Sequence, residues 1–247
     1  MTLSDLLWNF VINLCADVAF VVLLGLLLWV LRGRELGKAR LFFGFDGQTQ
    51  STIYVSGHED TTTMSRRVVT ALEYETAVEI REALRRLSGP ELVGKLRASI
   101  AGVIGQDSTL PEPIIEVSRL DEVHEGPSAG SLILIGGPLR NQLTRFYLRD
   151  NPPFSFDTVK DKYLERSGGQ YREIADYGDV AVVDRMVVNG QVVIVIFGTG
   201  ERDTQAAARY LIGHWRELHK RYPEQGLGVL LHVQSDGKAK AKRIVRA

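Results

Sequence analysis

The sequence predicts an α/β protein: a mixed, mostly parallel sheet with helices on both faces, preceded by one transmembrane helix. Three stretches carry that prediction. Gln191 to Leu211, QVVIVIFGTGERDTQAAARYL, runs as an unbroken apolar stretch, breaks at Gly198-Thr199-Gly200 and continues with helical periodicity. Ser131 to Arg149, SLILIGGPLRNQLTRFYLR, repeats this order around Gly136-Gly137-Pro138. A continuous apolar run suits a strand covered on both faces, the usual setting of a parallel sheet layered with helices. The third stretch is Leu6 to Leu31, about 26 residues with one formal charge, longer than a ~30 Å hydrocarbon core requires at ~1.5 Å per residue.

Composition narrows the function classes. The 247 residues are 45% hydrophobic, enough for a substantial core, and thirty basic residues balance thirty acidic ones. No overall field therefore recruits nucleic acid. A single cysteine, Cys15, excludes an internal disulfide and a cysteine zinc cluster.

Taken in order, residues 1–31 form the expected membrane anchor. No basic n-region precedes it and no A-x-A site follows, so it is not read as a cleaved signal peptide. Arg32, Arg34, Lys38 and Arg40 flank its C-terminal end. Positive-inside bias then places the rest of the chain in the cytoplasm of a single-pass protein at the cell membrane. Asn9, Asn13 and Asp17 fall four apart on one helix face, a stripe suited to a homo-oligomeric helix contact or to a surface-lying first turn.

Residues 32–39 read as a basic juxtamembrane linker and 40–235 as one cytosolic α/β domain. Within that domain Arg40 to Phe45 is predicted as a strand, Asp46-Gly47 as a turn and Thr52 to Val55 as a strand. His58, Glu59 and Asp60 fall in a polar loop and are not scored as a metal site. Glu73 to Leu87 places Ala77, Ile80, Leu84 and Leu87 on one helical stripe, and a second helix spans Glu91 to Ile104. Ile114 to Val117 follows as a strand. Residues 150–178, rich in turn formers and aromatics, read either as a lid or as a surface excursion. Asn189-Gly190 joins Val180–Val188 to Gln191–Phe197 as a hairpin, which makes the sheet mixed. A helix from Asp203 to Tyr222 turns Ala207, Tyr210, Leu211, Trp215 and Leu218 inward, and Leu227 to Val233 is the last strand. Residues 236–247, with five basic side chains and no acid after Asp236, read as a flexible tail within reach of anionic headgroups.

The two glycine turns supply the candidate site: Gly136, Gly137, Pro138, Arg140 and Asn141 at the first, and Gly198, Thr199, Gly200, Glu201, Asp203 and Thr204 at the second. Arginine and amides at a helix start suit an anion, whereas Glu201 and Asp203 oppose phosphate and suit ribose hydroxyls or capping. Glycines that merely make tight strand-to-helix connections are the plainer reading of both. Neither turn carries a Gly-Lys-Ser/Thr sequence or a complete dinucleotide fingerprint. His214 and His219 stand five apart and form no zinc pair.

At GGPLRN and at DYGDVAVVDRMVVNGQVVIVIFGTGERDTQAAARYL the chain resembles the Rossmann-like domain of archaeal surface-layer-type proteins and related uncharacterised bacterial membrane-anchored proteins, over residues 131–212. Gly136, Gly137, Pro138, Asn141, Gly178, Asn189, Gly190, Gly198, Asp203 and Thr204 stand at matching positions. The resemblance implies an α/β domain with no established catalytic role. The expected function is a membrane-anchored module binding a small anionic, nucleotide-like ligand or a protein partner. The alternatives are a nucleotide- or glycosyl-processing enzyme with Glu201 or Asp203 as acid/base, and a membrane scaffold.

Overall fold

The computed structural model describes residues 3–45, 51–56, 58–60, 66–88, 113–117, 130–149, 152–160, 162–174, 178–223 and 226–246. Side chains are described for these except at 3–13, 28, 29, 32, 58–60, 66–68, 88 and 117. The Asp46-Gly47 turn and the helix expected over 91–104 lie outside the described residues. The chain divides into two units, Met1–Gly37 and Lys38–Ala247.

Helix α1 runs unbroken from Leu3 to Phe43. Its described side chains from Leu14 to Leu27, with Val30 and Leu31, are exposed. Among the described residues no helix is long and apolar enough to cross a membrane. Asn9 and Asn13 fall outside the described side chains, and Asp17 is exposed. Two sequence expectations are corrected here. Residues 32–39 are not a separate linker, and Arg40–Phe45 is not a strand, because the helix continues to Phe43. Short apolar runs such as LFF do not reveal their period, and here packing decides. Phe42 and Phe43 are buried against Trp215, at ring-centroid distances of 6.1 and 5.9 Å. The buried Arg185 donates from Nε to the Phe42 carbonyl at 2.7 Å and from Nη2 to the Leu41 carbonyl at 3.1 Å. Carbonyls that end a helix lack intrahelical donors, and this side chain supplies them.

The second unit is built on a seven-stranded sheet, ordered β12-β11-β9-β10-β5-β1-β4. Its strands are β1 Thr52–Val55, β4 Ile114–Val117, β5 Leu132–Ile135, β9 Val180–Val188, β10 Gln191–Gly198, β11 Leu227–Val233 and β12 Ala239–Arg246. β4, β1, β5 and β10 are mutually parallel. β9 pairs antiparallel with both β10 and β11, and β12 antiparallel with β11. The hairpin turn falls at Asn189-Gly190 as expected, with φ of 52° and 81°. β12 corrects the expected flexible tail, since Ala239–Arg246 is paired along its length. Its alternating lysines dress a sheet edge.

Alternating residues of the strands feed two separate cores. On one face lie helix α2, Ala71–Ser88, and helix α4, Glu201–Arg221, bringing Ala77, Ile80, Leu84, Ala207, Leu211, Trp215 and Leu218 into burial. Tyr210 is only half-buried and stacks on His214. The opposite face carries Leu132, Leu134, Val193, Val195 and Phe197. It is covered by the short helix α3, Gln142–Tyr147, and by a three-stranded antiparallel sheet: β6 Phe154–Asp157, β7 Lys162–Ser167 and β8 Gln170–Glu173. The expectation of helices on both faces is thus corrected in part, because a small sheet shares the second face with α3. Within the stretch 150–178 the described residues thus form strands instead of an irregular excursion. β2 His58–Asp60 and β3 Arg66–Val68 make a further antiparallel pair where a loop was expected.

Candidate functional site

The order β4-β1-β5-β10 reverses its direction of growth between β1 and β5: β4 is added on one side of β1, and β5 and β10 on the other. At such a reversal, connections leave adjacent parallel strands toward opposite faces and open a crevice at their carboxyl ends. Here β1 ends before Ser56 and β5 before Gly136. β10 ends at Gly198, beside β5.

The two glycine turns meet there. One crevice of about 570 Å³ is walled by Gly137, Leu139 and Arg140 of the first turn and by Gly198, Thr199, Gly200, Glu201 and Thr204 of the second. Leu72 and Glu73 from the first turn of α2 complete it, with Arg202. Pro138 lines an adjoining chamber of about 250 Å³ that shares Gly137, Leu139, Gly198 and Thr199 with the crevice.

Glu73 is the residue that sequence reasoning missed. It is buried, and the Ser56 hydroxyl donates to its carboxylate at 2.5 Å. Burial holds its carboxyl above the usual carboxylate range, opposed by the Ser56 hydrogen bond and by Arg140 and reinforced by Glu201. Gly136 lies against this pair with φ of +102°; a Cβ there would fall 2.4 Å from Ser56 Oγ and 2.9 Å from Glu73 Oε1. Only glycine lets β5 end so close to β1. The one sequence signal for Glu73 was an acid in a first helical turn, which reads as a dipole partner.

The remaining predicted residues divide by role. Arg140 Nη1 reaches across the crevice to Glu201 Oε1 at 3.2 Å, an exposed pair that ties one turn to the other. Asn141 faces no ligand space. It is fully buried, accepts from Thr144 N at 3.1 Å and donates to the Ile135 carbonyl at 2.9 Å, capping α3 and fastening it to β5. The N–H groups of Arg140 and Asn141 both donate to the Gly137 carbonyl. Asp203 turns inward beneath the second turn, where its carboxylate accepts from Gly200 N at 3.0 Å. Burial is the largest influence on that carboxyl and raises it above its ordinary value. Gly198 is pressed against Asp203, whose Cβ would lie 2.5 Å from an added methyl. Thr199 binds the start of β9, its hydroxyl 3.1 Å from Val180 N and 3.0 Å from the Val180 carbonyl. Thr204 donates back to the Gly200 carbonyl at 3.0 Å. Asn141 and Asp203 are therefore fold-forming groups. Arg140, Glu201, Glu73 and Arg202 are the charged residues that line the crevice.

Among the described residues no group of three His, Cys, Asp or Glu side chains could hold a metal ion. The sequence pattern of the S-layer like family, outer domain, matches residues 50–215, more than half of the chain. The chain belongs to this family. In this S-layer-like chain the matched span takes in β1 through most of α4, and so both glycine turns and Glu73. No curated protein matches the S-layer-like chain significantly.

Proposed function

We propose that the chain is a membrane-anchored binding module whose Rossmann-like α/β domain takes a small, polar, nucleotide-like ligand in the crevice between the two glycine turns. The observation that carries this reading is the convergence of Arg140, Glu201 and Glu73, from three separate elements, on one crevice at the strand-order reversal. Sites in open α/β sheets recur at this position. With Arg202, which also lines the crevice, these groups offer two cations and two carboxyl groups, a set fitted to recognition of a polar ligand. Thermal shift of the full chain in detergent against a panel of nucleosides, nucleotides, sugars and phosphate tests the reading. A stabilising compound whose effect is lost in Arg140→Ala or Glu201→Gln supports it. Shifts indifferent to both variants would overturn it.

The anchor is part of the same proposal. A helix whose apolar side chains are exposed all round, Phe20 at 67% and Leu23 at 65% among them, requires lipid or a partner to cover it. The basic flank after Leu31 supports a cytoplasmic domain. The family description speaks instead of an outer domain, which favours a cell-surface location as the second reading. Val159→Cys, at a position 93% exposed, separates them in a Cys15→Ser background. Labelling by an impermeant maleimide only after permeabilisation supports the cytoplasmic orientation, and labelling of intact cells supports the outer one.

A further inference from the structure

We infer that the ligand of this crevice joins a flat aromatic ring to an unphosphorylated polyol, as a nucleoside or an aryl glycoside does. The inference rests on the binding reading above and names its substrate class. The chamber beside the crevice is the first ground. It is floored by Phe197 at the end of β10 and by Phe156 and Tyr163, which the small sheet brings over it. Tyr163 stacks on Phe197 at 5.8 Å with 5° between planes, and Phe156 meets Tyr163 edge-on at 5.1 Å and 76°. Tyr163 and Phe197 are buried, whereas Phe156 is half-buried and lines the chamber. Such a surface accepts a planar ring by stacking or edge contact, at low cost in conformational freedom.

The polar crevice is the second ground. A phosphate site draws on backbone N–H groups at a glycine turn and on an unengaged cation. At the first turn the N–H groups of Arg140 and Asn141 already serve the Gly137 carbonyl, and Asn141 spends its amide on capping. Arg140 is held by Glu201. At the second turn Glu201 and Asp203 supply negative charge to the start of α4, and Gly200 N donates to Asp203. A triphosphate entering here meets the negative charge of Glu201 and Glu73, while of the two arginines that line the crevice Arg140 is paired with Glu201 and Arg202 donates to the Ser235 carbonyl. Hydroxyl groups donate to such carboxylates, so a sugar hydroxyl can bond Glu201 beside the contact that its Oε1 makes with Arg140. The two spaces share the walls at Gly137, Leu139, Gly198 and Thr199, so one molecule with a ring at one end and hydroxyls at the other spans both.

Isothermal calorimetry on the full chain in detergent micelles tests this, with adenosine, cytidine, a nitrophenyl glucoside, adenosine triphosphate, ribose and inorganic phosphate as probes. A nucleoside or the aryl glucoside is expected to bind at least about tenfold more tightly than ribose, consistent with base–aromatic stacking, and adenosine more tightly than its triphosphate. Phe156→Ala is expected to weaken that binding roughly tenfold while leaving ribose unaffected, and Glu201→Gln to weaken both. Tightest binding by the triphosphate or by phosphate overturns the inference, as does indifference to Phe156→Ala or silence across all six probes. If ribose or phosphate binds in an Arg140- or Glu201-dependent manner without any ring preference, the crevice reading stands and the ring-plus-polyol class falls.

Discussion

Replacing Gly136 by alanine tests how the crevice is built. The residue holds φ of +102°, a region that costs an L-residue roughly 1–3 kcal/mol. The added methyl would also sit 2.4 Å from Ser56 Oγ and 2.9 Å from Glu73 Oε1. These are buried groups joined by one short hydrogen bond, so relief of the overlap must part them and leave a carboxyl and a hydroxyl unsatisfied, at about 1–3 kcal/mol. The two costs together predict a loss of about 2–6 kcal/mol, against total stabilities of about 5–15 kcal/mol for proteins generally. For a domain of this size a loss near 4 kcal/mol lowers Tm by about 8–16 °C. Far-ultraviolet circular dichroism of the full chain in detergent reads it directly. Gly137→Ala is the control, because a Cβ there meets nothing within 4 Å and φ is not in the left-handed range. It should be neutral or stabilise by about 0.4–1 kcal/mol through reduced unfolded-state entropy. Equal melting of the two variants, or a loss under about 1 kcal/mol in Gly136→Ala, would refute the claim that β5 ends against the Ser56–Glu73 pair.

Three further outcomes are expected. Asp184 is wholly buried, accepts from Phe154 N at 3.3 Å, and has no hydrogen-bond partner for Oδ1 among the described residues. Burial raises its carboxyl well above the ordinary value, so the stabilising proton is fully held below the unfolded pKa and lost as pH rises through the folded one. Asp184→Asn should accordingly remove one component that makes the wild type more stable on mild acidification, visible as a flatter Tm profile from neutral pH downward; parallel profiles would contradict the assignment. Arg185→Met should destabilise by about 2–5 kcal/mol in chemical denaturation, since the buried Phe42 carbonyl would lose its donor; an unchanged midpoint would show that the arginine is dispensable to the end of α1. Deleting residues 236–247 should cost several kcal/mol, at a net ~0.5–1.5 kcal/mol per hydrogen bond lost from the β11–β12 ladder, whereas a free tail would cost nothing.

What was legible in the sequence, and what was not, follows the range of the forces involved. β5, β10, the Asn189-Gly190 hairpin and α4 are written locally, in β-branched runs, a left-handed dipeptide and a helical stripe, and each stands where the residues placed it. So do the two turns, where Gly136 and Gly198 are the glycines that close packing requires. The end of α1 was misread because Arg40–Phe43 carries no period of its own and is decided by Arg185 and Trp215, more than a hundred residues away. β12 was misread because charge outweighed an alternation, Ala239-Lys240-Ala241-Lys242, that is the pattern of a strand. Glu73 joined the site only through sheet order, which no local pattern encodes. Asn141 and Asp203 show the converse: residue types suited to ligands, spent instead on holding their own turns.

The strand β9 separates β10 from β11, although the chain passes from β10 through α4 directly to β11. The later strand can therefore dock only after the hairpin is in place, and it leaves before the hairpin when the sheet opens. Loosening should start at β12, proceed through β11 and reach the β9–β10 seam last. The amides on either side of Asn189-Gly190 are then the slowest to exchange with deuterium in the native protein, and the crevice, at the far end of β10 from that bend, hangs from the most persistent part of the molecule.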